Sequence, residues 1–204
     1  MDELRVVGGT RKADRLTERL ESARRAFERD RYLESKRILI AVMRDASSVP
    51  AVRELYGLTL YRLGEWRAAA RELEAFRVST GDLDQHPVLA DCYRALKRHS
   101  ETEALWNELK EASPDPDIVS EGRIVMAGSL ADRGRLRDAI DLLERAVTGK
   151  VTRVRERHIR TWYALADLYD RAGDTTKARA LFRRVATHDA EFVDVQSRLR
   201  TLGR

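Results

Sequence analysis

The chain has 204 residues, of which 43% are hydrophobic, 36% charged and 6% aromatic, with a formal net charge of +5. That apolar share excludes a disordered chain. The 34 acidic residues interleave with 39 basic ones, so charge alone assigns no nucleic-acid partner, and no run of about 18 apolar residues is present to span a membrane.

Residues 1 to 12 carry Gly8-Gly9-Thr10 and no apolar periodicity, which reads as a flexible lead. Ala, Leu, Arg and Glu dominate the rest, a composition that favours helix. Apolar spacing predicts helices over 13–29, 31–45, 50–63, 65–79, 86–98, 100–112, 117–133, 135–148, 152–172, 174–187 and 190–202. Ser47-Ser48-Val49-Pro50 and Ser113-Pro114-Asp115-Pro116-Asp117 are loops with proline stops, and Gly81-Asp82 and Gly149 close other segments. The last helix spaces Phe192, Val195, Leu199 and Leu202 along one face, as the terminal cap of a repeat array requires.

Three segments share one pattern. Gly64, Gly134 and Gly173 each have a small residue seven positions earlier (Gly57, Ala127, Ala166), a small residue five later (Ala69, Ala139, Ala178) and a large apolar one nine later (Leu73, Leu143, Phe182). Weaker copies centre on Asp30, with Ala23, Ser35 and Leu39, and on His99, with Cys92 and Ala104. The centres are spaced by 34, 35, 35 and 39 residues. Small side chains at these places let the two helices of a hairpin cross closely, and the centre needs positive φ, which Gly tolerates best.

This pattern resembles the tetratricopeptide repeat, a helix–turn–helix unit with the signature W-x2-L-G-x2-Y then A-x3-F. Trp162, Leu165, Ala166, Tyr169, Ala178 and Phe182 carry the resemblance best. It implies an all-α fold, an α-α superhelix (a right-handed solenoid) of about five such units plus a C-terminal capping helix. The repeat domain is expected over 13–190, with units near 16–49, 50–84, 85–119, 120–152 and 153–190, the lead at 1–12 and the cap at 191–204.

Two places break the rule. In the third unit strict register would bury Glu108 and Glu111, whereas a one-residue slip buries Leu105, Leu109 and Ala112, so a turn one residue longer is expected. The last spacing is about one helical turn too long, so either the loop near Thr148–Arg153 is longer or the next helix starts early.

No catalytic or metal pattern stands out. His86, His99, His158 and His188 form no His-x-x-x-His, and Cys92 is the only cysteine, so no disulfide or zinc pair exists within the chain. Gly8-Gly9-Thr10-Arg11-Lys12 lacks P-loop spacing. Trp66, Trp106 and Trp162 read as packing residues, and Cys92 as a small crossing residue. No enzyme activity, cofactor or metal is expected. Met1-Asp2-Glu3-Leu4-Arg5 lacks the apolar core of a secretory signal, so a cytoplasmic protein without a membrane partner is expected.

The resemblance further implies a concave groove lined by the first helix of each unit. Transferred by position, its residues are Glu54, Leu58, Tyr61 and Arg62, then Leu89, Tyr93 and Lys97, then Ile124, then Arg160, Tyr163, Asp167, Asp170 and Arg171. A mixed surface of this kind suits a partner peptide or helix with a few apolar anchors. The Lys and Asn of the family's chaperone carboxylate clamp are missing: Leu20, Arg24, Glu54 and Leu58 stand there, and Asn107 is the only asparagine. The expected function is thus a protein-interaction scaffold or adaptor, with a possible homo-oligomer. The alternatives are a self-associating structural or regulatory subunit, or a nucleic-acid-associated protein using Arg153, Arg155, Arg157 and Arg160 with Arg133, Arg135 and Arg137.

Overall fold

The computed structural model of the chain describes residues 10–112, 114–149 and 151–203, and the backbone alone at residues 10 and 11. Among the described residues there are eleven α-helices and no strand: α1 (Thr10–Glu28), α2 (Tyr32–Ala46), α3 (Pro50–Arg62), α4 (Trp66–Thr80), α5 (His86–Ala95), α6 (His99–Ala112), α7 (Pro116–Asp132), α8 (Leu136–Val147), α9 (Glu156–Arg171), α10 (Thr175–His188) and α11 (Val195–Leu202). None is long and apolar enough to cross a membrane. Helix α1 already includes residues 10–12, which were expected in the lead, while Gly8 and Gly9 lie outside the described residues.

Five hairpins end their first helix in the same way. A residue with positive φ stands at Asp30 (57°), Gly64 (74°), Lys97 (59°), Gly134 (76°) and Gly173 (81°). The next amide bonds back to the carbonyl five residues earlier: Arg31 to Ala26, Glu65 to Leu60, Arg98 to Tyr93, Arg135 to Leu130 and Asp174 to Tyr169, all at 2.8–2.9 Å. This is the Schellman closure, which satisfies carbonyls that a helix end leaves orphaned. In the first, second, fourth and fifth hairpins the left-handed residue reverses the chain so that the second helix folds onto the first.

That repeated closure corrects the third unit. Its turn residue is Lys97, two positions before the expected His99, and α5 accordingly stops at Ala95. Counting from Lys97, the crossing residues are Ala90 and Thr102 and the large residue is Trp106, and all three are buried. Thr102 fits a position held elsewhere by Ala because its hydroxyl donates to the carbonyls of Ala90 and Arg98, each at 3.2 Å. Ala104 and Ala112 are exposed, contrary to expectation, while Leu105 and Leu109 are buried and Glu108 and Glu111 face solvent. Cys92 is buried, although the crossing itself belongs to Ala90.

In the other units the expected crossings hold. Ala23, Ser35, Ala69, Ala127, Ala139, Ala166 and Ala178 are at most 1% exposed, as are Leu39, Leu73, Leu143 and Phe182. A Cβ on Gly57 would stand 2.7 Å from Leu73 Cγ, so only glycine permits that approach. Trp162 and Trp106 are buried and Trp66 half-buried, consistent with packing roles.

The chain divides into two compact units, Met1–Thr102 and Glu103–Arg204. In the first, α1 packs on α2, α2 on α3, α3 on α4 and α4 on α5. Its core joins Leu16, Leu20, Leu39, Val42, Val52 and Leu55. In the second, α7 packs on α8, α8 on α9, α9 on α10 and α10 on α11. The long final spacing is absorbed by the loop, because α9 begins only at Glu156. Helix α11 begins at Val195, five residues later than expected, and covers α10 with Val195 and Leu202.

Candidate functional site

The expected groove residues sit on α3, α5, α7 and α9, apart from Lys97 in the turn after α5. Most of them bind a neighbouring repeat or the C-terminal cap. In the first compact unit Glu54 accepts from Gln85 Nε2 at 2.8 Å, and Tyr61 donates to Asp91 Oδ2 at 2.8 Å while its ring meets Trp66 edge-on. Burial, then the Asp91 carboxylate, pushes the Tyr61 phenol above its ordinary range. Arg62 is exposed, lies 4.6 Å over the Tyr32 ring and approaches Asp30 at 3.4 Å. Leu58 is half-buried and Lys97 exposed.

Leu89 and Tyr93 do not line an open surface. They are 1% and 7% exposed, and Tyr93 donates to Glu74 at 3.3 Å with Arg98 stacked 4.5 Å over its ring. The two-residue shift explains this. Counted from Lys97, the outward places of α5 belong to Asp91 and Arg94, which pair at 3.1 Å. Both were missed because the unit was centred on His99. The available signal was the ninth position: Trp106 lies nine after Lys97, whereas the charged Glu108 lies nine after His99.

The second compact unit has a parallel ladder from α7 to α9. Arg157 binds Asp117 at 2.6 Å, the hydroxyls of Ser120 and Thr161 meet at 3.0 Å, and Arg160 forks onto Glu121 at 2.5 and 2.8 Å. One repeat further, Tyr163 donates to Asp194, and Arg198 binds Asp167 and, at 3.5 Å, Asp170. The Tyr163 ring meets Phe182 and Phe192 edge-on at 5.4 and 5.5 Å. Ile124 is half-buried and Arg171 exposed. Asp194 and Arg198 lie beyond the repeat pattern, so position transfer could not find them.

Among the expected groove residues, Leu58 and Ile124 are partly open apolar side chains, and Arg62, Lys97 and Arg171 are exposed cations. Burial, then Asp91, pushes the Cys92 thiol up to about 12, which disfavours the thiolate form. Among the described residues no three His, Cys, Asp or Glu side chains gather as a metal site.

Comparison with known proteins agrees with this geometry. Residues 160–190 match the tetratricopeptide repeat family. No curated protein matches the chain by sequence. Among solved structures, a thermophilic TPR protein of Thermus thermophilus superposes with a TM-score of 0.70 at 18% identity, over 92% of this chain and 98% of that one. A protein of TPR-like repeats from Podosopora anserina gives 0.64 at 20% identity, over 87% and 96%. MamA (residue 41 to the end) from Desulfovibrio magneticus RS-1 gives 0.60 at 16% identity, over 88% and 97%. At these identities the likeness is one of fold.

Proposed function

With residues 160–190 a tetratricopeptide repeat and the fold that of tetratricopeptide proteins, we propose that this chain is a non-enzymatic scaffold that binds a peptide or helix of a partner protein. The observation that supports the reading is how the first-helix side chains are used. Their carboxylates, phenols and guanidiniums tie repeat to repeat, and what remains outward is a sparse set of anchors and cations. Such a surface offers contact area and charge to a partner without a place to hold a reacting group. Within each compact unit the contact residues are the open ones: Leu58, Arg62 and Lys97 in the first, Ile124 and Arg171 in the second. Glu54, Tyr61, Arg160, Tyr163, Asp167 and Asp170 hold the frame at the edge of that surface.

The nucleic-acid alternative has less support, because several of its arginines already have acidic partners. Arg157 pairs with Asp117, Arg160 with Glu121, Arg135 with Asp138 at 2.6 Å, and Arg133 lies 3.7 Å from Glu103. A row of phosphates would compete with these carboxylates rather than meet free charge.

The test is crosslinking capture from the source cell with the wild-type chain, L58E/R62E and I124E/R171E. The expected result is a protein partner retained by the wild type and lost by at least one variant of unchanged circular dichroism. Retention of every partner by both variants, or recovery of nucleic acid alone, would refute the proposal.

A further inference from the structure

The second compact unit contains a cleft of about 260 Å³ whose walls include Pro114, Val119, Arg123, Val147, Val151 and Arg157. It lies beside the α7–α9 ladder, among residues outside the expected groove. Its volume is below the roughly 300–1,000 Å³ of ordinary small-molecule sites, so it has room for one or two side chains rather than a cofactor.

The electrostatics of the cleft are one-sided. Arg123 is half-buried, and among the described residues it has no acidic partner; its guanidinium instead faces the Trp106 ring, 5.6 Å away. Burial alone lowers its guanidinium below the ordinary value, with no carboxylate to offset it. Arg184 stacks 3.7 Å over Trp162, which also lines the cleft, and it too lacks an acidic partner among the described residues. The His158 imidazole in the same wall is held low first by burial, then by Arg157, Arg155 and Arg184, so several cations act on one point. The acid that acts against them on His158 is Asp117, already bound to Arg157. Ser120 and Thr161 satisfy one another at 3.0 Å, and Thr161 donates to the Arg157 carbonyl at 2.7 Å, so neither needs a ligand.

A half-buried guanidinium without a counter-charge is costly, and a carboxylate brought to it restores a charge-assisted pair. Apolar walls around that cation favour an aliphatic group next to the acid. We infer that this cleft is a docking site for an acidic segment of a partner protein, taking one Asp or Glu side chain onto Arg123 with a neighbouring aliphatic side chain against Pro114, Val119 and Val147. This inference rests on the peptide-binding reading above and names its ligand chemistry.

The test is selection of a randomised eight-residue peptide library on the full chain, on R123Q and on V151E, which places an acid in the cleft wall without removing a residue of the core. The expected result is an Asp or Glu beside Leu, Ile or Val selected by the wild type. The selected peptides, measured by fluorescence anisotropy, should bind at least tenfold more weakly to R123Q and to V151E, and should lose affinity when the acid becomes Asn or Gln. Peptides without an acidic preference, or ones that bind R123Q and V151E as tightly as the wild type, would overturn the cleft while leaving the scaffold reading standing. Selection of no peptide by the wild type would overturn both. If R123Q fails to fold, V151E alone decides between the outcomes.

Discussion

Gly57→Ala tests the nesting of the hairpins directly. The added methyl would lie 2.7 Å from Leu73 Cγ, 2.8 Å from Leu73 Cδ2 and 3.3 Å from the Leu73 amide nitrogen. Carbon atoms prefer about 3.5–4.0 Å, so the two helices must part or Leu73 must leave its rotamer. Leu73 is fully buried, which leaves it nowhere to go. Overpacking of this kind costs about 1–3 kcal/mol, and the better helix propensity of Ala returns up to about 1 kcal/mol. A net loss of about 0–3 kcal/mol is expected. Leu73→Ala alone should cost about 2–5 kcal/mol through the cavity it leaves. In G57A/L73A the new methyl occupies part of that cavity, so the double variant should be about 1–3 kcal/mol more stable than the sum of the singles. Urea unfolding followed by far-UV circular dichroism reads this. Additivity within about 0.5 kcal/mol, or a higher midpoint for G57A, would refute the crossing as described.

Three further outcomes are expected. Cys92, buried and with its thiol pushed up to about 12, should resist a thiol reagent at pH 8 and react only as fast as the chain opens; labelling at the rate of a free thiol would contradict this. Stability should fall as pH rises above about 10, the unfolded phenol value. Burial and a carboxylate neighbour raise the Tyr61, Tyr163 and Tyr169 phenols in the fold, so the folded state holds these protons more tightly, and its advantage is complete below the unfolded value and lost at higher pH. Melting temperatures of the wild type and Y163F between pH 7 and 11 check this, with Y163F showing the smaller alkaline loss. Finally, Glu72 is a buried carboxylate bound by Arg53 at 2.9 Å and by the mostly exposed Arg71 at 2.8 Å. R53M should cost about 1–3 kcal/mol and R71M less than about 1 kcal/mol in urea unfolding, and equal losses would show that exposure does not grade the pair.

The sequence by itself determined the helices, their order and the close crossings in four of the five hairpins. Those features depend on residue size and on positive φ. Gly64, Gly134 and Gly173 announce the turns, and Gly57, Ala127 and Ala166 announce the close approaches, because larger side chains cannot stand there. Tertiary structure alone decided the rest. The third hairpin turns at Lys97, a residue type with no preference for left-handed backbone, and its crossing holds Thr102, whose hydroxyl finds backbone carbonyls. Cys92 and Ala104 carry the same spacing and are likewise small, so size could not separate the two registers; burying Trp106 rather than Glu108 did. The outward surface was the least legible feature. Tyr61, Arg160 and Tyr163 read as partner contacts along the chain, yet each finds an acid 30 to 39 residues away. A polar side chain on an amphipathic helix can face a partner or its own next repeat with the same local pattern, and only the packing of one repeat on another chooses between them.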